Sequence, residues 1–512
     1  MQRMGIIDLG SNSVRLVILH VHKNGSYNLI YAQKVGLRLS QRFDADDNLT
    51  DDAVADTVYA VEKLVHMCSL FKATDIIGVA TAAMRKAKNA QDILDKIEKS
   101  TKVRLRVIRG EEEAYLGYIA VVNSIVEKDA ILFDLGGGSM EIILIRDRKA
   151  EHLASLNIGA TSMTEKFKTT DTMSSKSYRE LTMFIRRKLN KSLPWLKDSN
   201  LPIIGIGGTV RNLAKIYQRR VQYLYPKLHN YRMKMGEFDE VFNLLRNTDD
   251  AQRKKISGLN SDRTDIILAG ATIINTLFSI TQSKEFIVSG CGLREGLFYE
   301  NYFKYLGKEN VLDDILEFSI NNLLNFALSS DNHSQKVVRI SKKLFLGWKK
   351  LHKLGDNELK ILHVAASLHD VGISINYYDH PKHSAYLIEN APLMGLTHRE
   401  QIMAALVANW HNGISAKYLR NRLYKEFLSE KDIATAKKLA LILAMAENLD
   451  FTETDAVKDV LPDVTDDGEA VLTVVAKSLY DHDIEISEVK NNLNWFKKEF
   501  KTNLSIKRED IV

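Results

Sequence analysis

The sequence contains an internal repeat, and this repeat limits the folds open to the chain more than any other feature. The segment GIIDLGSNSVRLVIL begins at Gly5, and AILFDLGGGSMEIILI begins at Ala130. Alignment of Asp8 with Asp134 also matches three further pairs, namely Gly10 with Gly136, Ser13 with Ser139, and Arg15 with Glu141. Each copy predicts a β-hairpin whose tip is rich in glycine and hydroxyl groups. Two such hairpins in one register indicate a duplicated domain.

Strands that alternate with helices follow each copy. Examples are the strand-like DIIGVAT and VRLRVI after the first hairpin, and PIIGIGG and EFIVSG after the second. This alternation predicts two α/β domains, over residues 1–124 and 125–303. Residues 304–452 then predict amphipathic helices that carry most of the histidines. The strand-like EAVLTVVA and a closing helix predict a small α/β domain over residues 453–512.

Composition narrows the class of protein without naming a ligand. A chain of 512 residues is long enough for several hydrophobic cores, and its net charge of +6 permits an anionic ligand. The two cysteines, Cys68 and Cys291, lie far apart, which excludes a disulfide framework and favours a reducing compartment. Neither a signal peptide nor a membrane span is predicted. We therefore expect a soluble cytoplasmic protein.

The two hairpin tips are candidate phosphate sites. Successive backbone N–H groups in a Gly/Ser turn form a concave anion-binding nest, and the hydroxyl groups add donors. Glycine is expected there for positive φ angles and for close approach of the ligand. The candidate contacts are Asn12, Ser13 and Arg15 in the first hairpin and Gly137, Gly138 and Ser139 in the second.

The second hairpin also carries two carboxylates beside its tip. Asp134 precedes the turn and Glu141 follows it, while Asp8 is the counterpart of Asp134 in the first copy. Carboxylate oxygens suit Mg²⁺ that is bound partly through substrate phosphates. The alternative is that Asp134 only caps the turn and Glu141 is a solvated strand residue.

Two further segments bring charged groups to helix starts. Arg85 in ATAAMRKA follows a strand, where a helix N-terminus and a guanidinium group could jointly hold phosphate. The segment GEEEA places carboxylates in the first turn of the next helix. Their interaction with the helix dipole explains them without catalysis. A carboxylate that faces a phosphate cleft could instead deprotonate an attacking water.

Six motifs in one order resemble the exopolyphosphatase / guanosine-pentaphosphatase family of the actin-like (ribonuclease H-like) and sugar-kinase superfamily. They are DLGSNSVRLVI, TAAMRKA, GEEEAYLGY, DLGGGSMEI, IGGTVRNLA and SGCGLREGLFYE. The resemblance covers at least residues 4–303. Longer members of that family carry an appended helical domain of the HD type, so the resemblance implies this type for residues 304–452.

The resemblance implies release of terminal orthophosphate from inorganic polyphosphate, with Mg²⁺. It assigns the catalytic base to Glu113, with Glu112 as the alternative because of the additional glutamate here. It assigns the metal to Asp134 and Glu141. It assigns phosphate contacts to Asn12, Ser13, Arg15, Arg85, Gly137, Gly138, Ser139, Gly208, Thr209 and Arg263.

The helical region resembles HD phosphohydrolases through a separated histidine, a His-Asp pair and a distal aspartate. These residues are His333, His369, Asp370 and Asp450. Imidazoles together with a carboxylate suit a transition metal that lowers the pKa of a bound water. His380, His383 and His411 could bind a second metal or a substrate phosphate. Alternatively, the domain serves dimerisation and polyphosphate binding only, as in many long exopolyphosphatases.

Together with the composition, the family resemblance implies a cytoplasmic, homodimeric exopolyphosphatase. The nearest alternative is hydrolysis of the 5′ γ-phosphate of guanosine pentaphosphate (pppGpp) at the same site. Other hypotheses are an actin-like ATPase or sugar kinase with an adenosine pocket near Gly207 to Thr209, a phosphate sensor without turnover, and a nucleotide phosphohydrolase of the HD type. A nucleic-acid partner is not expected, because no recognition module accompanies Trp348 and its neighbouring lysines.

Overall fold

The computed structural model describes residues 2–327, 332–415, 418–477 and 483–511. The chain divides into two compact units, Met1–Ile315 and Leu316–Val512. The finer boundaries at residues 124, 303 and 452 stay predictions. In the described ranges, no helix combines the length and the hydropathy that crossing a bilayer requires.

The first unit contains eleven strands and eleven α-helices in its described part. The strands are β1 Gln2–Leu9, β2 Ser13–Val21, β3 Tyr27–Gly36, β4 Asp75–Ala80, β5 Leu105–Val107, β6 Ala130–Leu135, β7 Met140–Arg146, β8 Lys149–Leu156, β9 Ile203–Ile206, β10 Tyr231–Lys234 and β11 Glu285–Val288. The helices are α1 Asp51–Leu70, α2 Ala82–Lys86, α3 Ala90–Thr101, α4 Gly110–Val122, α5 Ala160–Phe167, α6 Ser175–Ser192, α7 Gly208–Arg220, α8 Met235–Arg246, α9 Asp250–Arg253, α10 Ile267–Thr281 and α11 Leu293–Leu306.

The predicted duplication is visible in the two sheets of this unit. Their strand orders are β3-β2-β1-β4-β5 and β8-β7-β6-β9-β11-β10. In each sheet the first hairpin is antiparallel, and its first strand also pairs in parallel with a strand that follows later in the chain. Asp8 lies opposite Arg15, and Asp134 lies opposite Glu141, so the register expected from the sequence alignment is present.

Burial explains why the central strands are apolar along their whole length. All four residues of β9 are buried, and so are five of the six residues of its parallel neighbour β6. Parallel central strands are covered by helices on both faces, which favours continuous β-branched runs over alternation. Each sheet therefore has its own core, represented by Ile7 and Leu64 in one and by Phe133 and Phe278 in the other.

The second unit starts with helices and ends with a small sheet. The helices before the sheet are α12 Ile315–Ala327, α13 Asn332–Gly347, α14 Lys349–His352, α15 Asp356–Leu368, α16 His380–Asn390, α17 His398–Asn409, α18 Arg422–Phe427 and α19 Glu430–Asn448. The remaining elements are β12 Val457–Val464, β13 Ala470–Lys477, α20 Asp483–Asn491, α21 Leu493–Phe500 and β14 Leu504–Ile511. Strand β13 pairs antiparallel with β12 and parallel with β14. This order agrees with the predicted helical region followed by an α/β segment.

Candidate functional site

The two hairpin tips face one cavity in the first unit. Its wall includes Asp8, Gly10, Ser11, Asn12, Ser13 and Arg15 from the first hairpin and Asp134 to Ser139 from the second. Further wall residues come from helix starts, namely Ala82, Glu113, Thr161, Gly208, Arg211, Arg294 and Glu295. Arg263, the last residue of a short 3-10 helix, also lines the cavity. The structure therefore brings together the motifs that the sequence singled out.

The backbone of each tip is held by the same kind of turn. Gly10 N donates to Ser13 O at 3.1 Å, and Gly136 N donates to Ser139 O at 3.0 Å. The carbonyl oxygen of Asn12 accepts from Leu37 N and Arg38 N. In the second tip the carbonyl oxygen of Gly137 accepts from the N–H groups of residues 161 and 162, at the start of α5. These bonds turn carbonyl oxygens toward neighbouring backbone and fix both loops.

The expected positive φ angles are absent from both tips. None of Gly10, Gly136, Gly137 and Gly138 has positive φ, so the prediction was wrong on this point. Gly207 does require a positive φ angle, because its φ is 108°. A Cβ at this position would also lie 2.7 Å from Leu135 O. This conformation starts α7 beside Asp134.

Close approach of a neighbouring glycine gives a direct test of the second tip. A Cβ on Gly159 would lie 2.2 Å from Gly137 O and 2.6 Å from the Gly138 carbonyl carbon. Because these atoms are backbone, we expect Gly159→Ala to displace the tip, to cost about 1–3 kcal/mol of stability and to lower kcat/KM by about tenfold or more. Thermal unfolding and phosphate release measure the two effects.

Gly236→Ala is the matched control, because a Cβ there meets no atom within 4 Å. It should leave kcat/KM unchanged. Wild-type stability and activity in Gly159→Ala would contradict the close packing behind the second tip.

The carboxylates of the cavity carry raised pKa values. Burial raises the pKa of Asp134 to about 7, and the charge of Glu141 adds to the shift. Burial also raises the pKa of Asp8, while Arg15 and Arg294 oppose the shift. The free energy of the charged forms would fall if a cation bound between them. Both residues line the cavity, in agreement with their predicted position.

Glu141 lies behind the wall rather than in it. Its side chain is 1% exposed, and its Oε1 accepts a hydrogen bond from Ser155 Oγ at 2.8 Å. Burial raises its pKa, against hydrogen bonds from Ser139 and Ser155. The alternative of a solvated strand residue is therefore wrong, although Glu141 does not line the cavity in this structure.

The structure separates the two candidate bases. Glu113 lines the cavity, and burial raises its pKa well above the usual range, with the charge of Glu141 adding to the shift. Glu112 instead pairs with Arg106, and its side chain is 34% exposed against 13% for Glu113. This geometry favours Glu113 over Glu112 for work on a ligand in the cavity.

Arg85 has a different position from the predicted phosphate contact. Its Nη1 donates to Glu113 Oε2 at 2.6 Å and to Ile108 O at 3.1 Å, and its Nη2 lies 3.7 Å from Glu141 Oε1. It does not line the cavity. In this structure Arg85 holds Glu113 by a hydrogen bond and Glu141 by an ion pair, so it orients the two glutamates.

Four arginines, Arg15, Arg211, Arg263 and Arg294, also line the cavity. Arg15 and Arg263 were expected there, whereas Arg211 and Arg294 were missed. Burial lowers the pKa of Arg211 to about 10, and the nearby charges of Arg15 and Arg263 lower it further. Repulsion between these cations would be relieved by an anion. Both missed arginines lie in the first turn of a helix that follows a strand, and this position could have identified them.

The two residues predicted to contact phosphate at the start of α7 have different positions. Gly208 lines the cavity, and the guanidinium group of Arg263 packs directly against it. Thr209 is fully buried, and its side chain packs against Gly270 instead of the cavity. Thr209 therefore does not line the cavity, and its predicted phosphate contact stays a prediction.

A basic side chamber of about 390 Å³ adjoins the cavity. Arg15, Gly208, Arg211, Arg263 and Arg294 border both spaces. The chamber adds Lys34, Lys215, Gln33, Asn212 and Asn260 to its wall. Among the described lining residues there are six cations and no carboxylate, so the chamber is suited to a second anionic group.

The donor set of the cavity fits a divalent cation that also binds the substrate. Asp8 and Asp134 offer oxygen ligands with raised pKa values. In the described ranges, the cavity carboxylates do not bring three ligand atoms within 4.8 Å of one another. Mg²⁺ commonly binds through one or two carboxylates plus phosphate oxygens, so this sparse set agrees with the predicted ion.

The second unit brings most of the predicted HD residues together. His333, His369 and Asp370 form one group, and Asp370, His380 and His411 form another. The first group contains Glu447 where the sequence suggested Asp450, which instead bonds His333 Nδ1 and Lys336. Glu447 lies one turn earlier on α19, so its carboxylate reaches the group. His383 belongs to neither group.

Comparison with known proteins agrees with this architecture. Residues 17–304 match the model of the Ppx/GppA phosphatase family, and residues 317–492 match Ppx/GppA phosphatase, domain III. A guanosine-5′-triphosphate,3′-diphosphate pyrophosphatase of Pseudoalteromonas atlantica is 27% identical over 458 residues, which cover 86% of each chain.

Two solved structures are similar to the chain. An Aquifex aeolicus member of the Ppx/GppA family is 28% identical, with a TM-score of 0.53 over 59% of this chain and 98% of that chain. An exopolyphosphatase of Cytophaga hutchinsonii is 22% identical, with a TM-score of 0.55 over 61% and 100%, and it supports the fold alone.

The fold and the cavity define a phosphatase built from duplicated α/β halves. The chain belongs to the Ppx/GppA phosphatase family. The family and the sheets confirm the predicted actin-like class for the first unit, whereas the HD type of the helical region stays a prediction.

Proposed function

We propose that the chain releases terminal orthophosphate from inorganic polyphosphate in the cavity between the two hairpin tips. One observation carries the proposal: the cavity is lined both by carboxylates of raised pKa and by four arginines, of which Arg211 and Arg263 have lowered pKa values. A phosphate chain together with a divalent cation would neutralise both sets of charges. Catalysis of phosphoryl transfer depends mainly on positioning the phosphate and neutralising its charge, and the cavity offers groups for both.

In the proposed reaction, Asp8 and Asp134 would hold Mg²⁺, which would supply positive charge beside the terminal phosphate groups. The backbone of Gly137 and Gly138 and the side chains of Asn12, Arg15 and Arg263 position the phosphates. Glu113 accepts a proton from the attacking water, whose oxygen bonds to the terminal phosphorus as the bond to the bridging oxygen breaks. Orthophosphate and a chain shorter by one phosphate leave. Arg85 keeps Glu113 in place.

The second candidate is removal of the 5′ γ-phosphate of pppGpp. The basic side chamber supports it, because a compound with two separate phosphate groups could place one in the cavity and the other beside Lys215. The similarity to the Pseudoalteromonas guanosine-5′-triphosphate,3′-diphosphate pyrophosphatase supports it as well. A homodimer and a cytoplasmic location stay predictions.

Orthophosphate release with Mg²⁺ separates the two candidates. We expect kcat/KM for long-chain polyphosphate to exceed that for pppGpp by about tenfold or more, because many phosphates contact the arginines. Polyphosphate should inhibit pppGpp hydrolysis competitively. A preference for pppGpp would favour the second candidate, and release from neither substrate would contradict both.

A lysine variant shows which compound uses the side chamber. Lys215→Ala should raise KM for a substrate that occupies the chamber by about fivefold, the expected loss of one charged contact. Tripolyphosphate, which is short, should be unaffected. Lys191→Ala on the exposed side of α6 is the control. An equal effect of Lys215→Ala on all substrates would contradict separate use of the chamber.

A further inference from the structure

The net positive charge of the chain is concentrated in one short stretch of the first unit. Residues 165–197 contain nine lysines and arginines against three acidic residues, an excess of six. The whole chain has the same net charge of +6, so the rest of the chain is balanced. The stretch covers the end of α5, the loop that follows and all of α6. Charge of one sign gathered on one surface attracts ligands of the opposite sign.

Helix α6 buries one face and exposes cations on the remaining surface. Leu181, Ile185 and Leu189 are buried at the spacing of a single helical face. Before the last turn, the exposed cations extend over about 18 Å of the helix axis. They are Lys176, Arg179, Arg186, Arg187 and Lys188. Glu180 is the one acidic residue of α6.

The electrostatics of an isolated helix do not account for these five cations. Lys176 lies in the first turn, where the helix dipole favours acidic residues, and α6 has no acidic residue there. None of the five forms an ion pair with a residue that the structure describes. Arg186 donates instead to the neutral Ser279 Oγ at 2.7 Å. Lys191 differs from them, because a cation in the last turn is favoured by the dipole without any ligand.

Neighbouring helices add two further cations. Lys166 Nζ of α5 lies 3.9 Å from the centroid of the Phe184 ring, and the guanidinium carbon of Arg246 of α8 lies 4.2 Å from that of Tyr178. Both rings belong to α6. Cation–π contacts hold these side chains against the helix and leave their charge without a counterion. The five cations of α6, together with Lys166 and Arg246, form what we call the basic surface of α6.

Helix α5 connects this surface to the cavity. Thr161, in its first turn, lines the cavity. Lys166 follows five residues later, about 7.5 Å farther along the helix. Burial raises the pKa of Glu165, and the charges of Lys86 and Lys168 oppose the shift, so both lysines lie within electrostatic reach of this side chain. Cations therefore continue from the cavity wall toward α6.

The residues of the basic surface select among anionic polymers. Helices that lie on lipid present apolar residues beside their cations. The apolar face of α6 is instead buried, and of its larger apolar residues Met183 alone is exposed. Nucleic acids stack their bases on exposed aromatic rings, whereas Lys166 and Arg246 lie over the two rings of α6. A flexible chain of phosphates without bases fits this surface best.

We propose that the basic surface of α6 is a second binding surface for inorganic polyphosphate, which holds a distal part of a long chain while the chain end occupies the cavity. The proposal rests on the proposed function, because it takes polyphosphate as the substrate. Attachment at two places raises the effective concentration of the chain end at the cavity. Short chains do not reach α6 and gain nothing from it. The surface thus determines the preference for long chains.

Binding without turnover tests the surface directly. The variant that we call the α6 variant combines Lys176→Gln, Arg179→Gln and Arg187→Gln. In the Glu113→Gln background, it should bind long-chain polyphosphate about tenfold more weakly or worse at low salt. The slope of log Kd against log salt concentration should be smaller by about 2, as for three lost phosphate contacts on a flexible strand. An unchanged Kd and slope would overturn the proposal.

The matched control removes the same charge from another exposed surface of the first unit. It carries glutamine in place of three exposed lysines of α1 and α3, namely Lys63, Lys96 and Lys99. It should bind long-chain polyphosphate as tightly as Glu113→Gln alone. Equal losses in the two triple variants would assign the effect to net charge and overturn the proposal. The melting temperature of the α6 variant should not fall, because glutamine is a good helix former and no ion pair is lost.

Competing polymers test the choice of partner. Single-stranded DNA and vesicles that contain phosphatidylserine should each bind the Glu113→Gln protein more weakly than polyphosphate of equal charge does. Their binding should also change little in the α6 variant. Tighter binding of either competitor, lost in the α6 variant, would overturn polyphosphate as the partner of this surface.

Turnover separates this proposal from the proposed function. With Glu113 intact, the α6 variant should raise KM for long-chain polyphosphate by about tenfold and leave kcat unchanged. The KM for tripolyphosphate, which is too short to reach α6, should also be unchanged. Equal effects on long and short chains would place these cations at the cavity and overturn the second surface. If the wild-type protein released no orthophosphate from polyphosphate, the proposed function would be wrong, and the binding comparison would still decide on the surface.

Discussion

Glu113→Gln should lower orthophosphate release from polyphosphate by about 10²–10⁴-fold with little change in KM. The side chain lines the cavity, and its raised pKa reflects burial beside Glu141. A general base of this kind typically contributes that factor. Glutamine has nearly the same shape, so the hydrogen bond from Arg85 can persist and the fold should remain. Initial rates over a range of substrate concentrations measure kcat and KM separately.

Glu112→Gln is the matched control, one residue earlier in the same helix. Its carboxylate pairs with Arg106 and is more exposed, so its loss should change kcat by less than about twofold, as for most surface ion pairs. Equal losses in the two variants would indicate a shared effect on α4 rather than catalysis. A large loss in Glu112→Gln alone would reverse the assignment.

Much of the first unit was predictable from the repeat, because strand, turn and strand recur with one spacing. The pairings of Asp8 with Arg15 and of Asp134 with Glu141 follow from that spacing. The third strands β3 and β8 were not predicted. Strand β3 has no fully buried residue along its length, so it lacks the apolar signal of the inner strands.

Sequence motifs identified the charged residues of the cavity more reliably than their roles. Arg85 stands at the position expected of a phosphate contact, but in the structure its guanidinium group donates a hydrogen bond to Glu113. Thr209 follows a glycine turn, yet its side chain points into the core beside Gly270. Which side of a helix start faces a ligand depends on tertiary packing, and spacing alone does not encode it.

In the helical unit, the sequence likewise does not decide between two acidic residues that lie about one helical turn apart. The segment AENLD offers two acids three residues apart, and the sequence prediction used Asp450. In the structure α19 ends at Asn448, so Glu447 faces the histidines, while Asp450 lies past the helix end beside Lys336. The chain direction after the helix decides between them.

Asp134→Asn should have opposite effects on activity and on the stability of the metal-free protein. The pKa of Asp134 is about 7 in the folded chain against 3.8 for the unfolded side chain. Between these values the folded state binds more protons, so the free energy of unfolding should fall as pH rises from about 4 to 7. With allowance for solvent in the cavity, we expect asparagine to recover about 1–3 kcal/mol at pH 8 and almost nothing at pH 4.

The same substitution should lower phosphate release in Mg²⁺ by about a hundredfold or more, because it removes a candidate ligand of the ion. Mg²⁺ should also stabilise the native protein against unfolding and stabilise the variant far less. Denaturant unfolding at pH 5 and pH 8, in chelator and in Mg²⁺, measures both effects.

Asp129→Asn is the control for the Asp134 experiment. Asp129 is exposed, directly precedes β6, the strand that contains Asp134, and accepts a hydrogen bond from Asp147 N. Its effect should be equal at the two pH values, because it lies outside the cluster of carboxylates. If Asp134→Asn also shifted stability equally at both pH values, the buried charge of Asp134 would not oppose folding. In that case the cavity would not need a cation to offset it, and the argument for metal binding at this position would fail even if activity were lost.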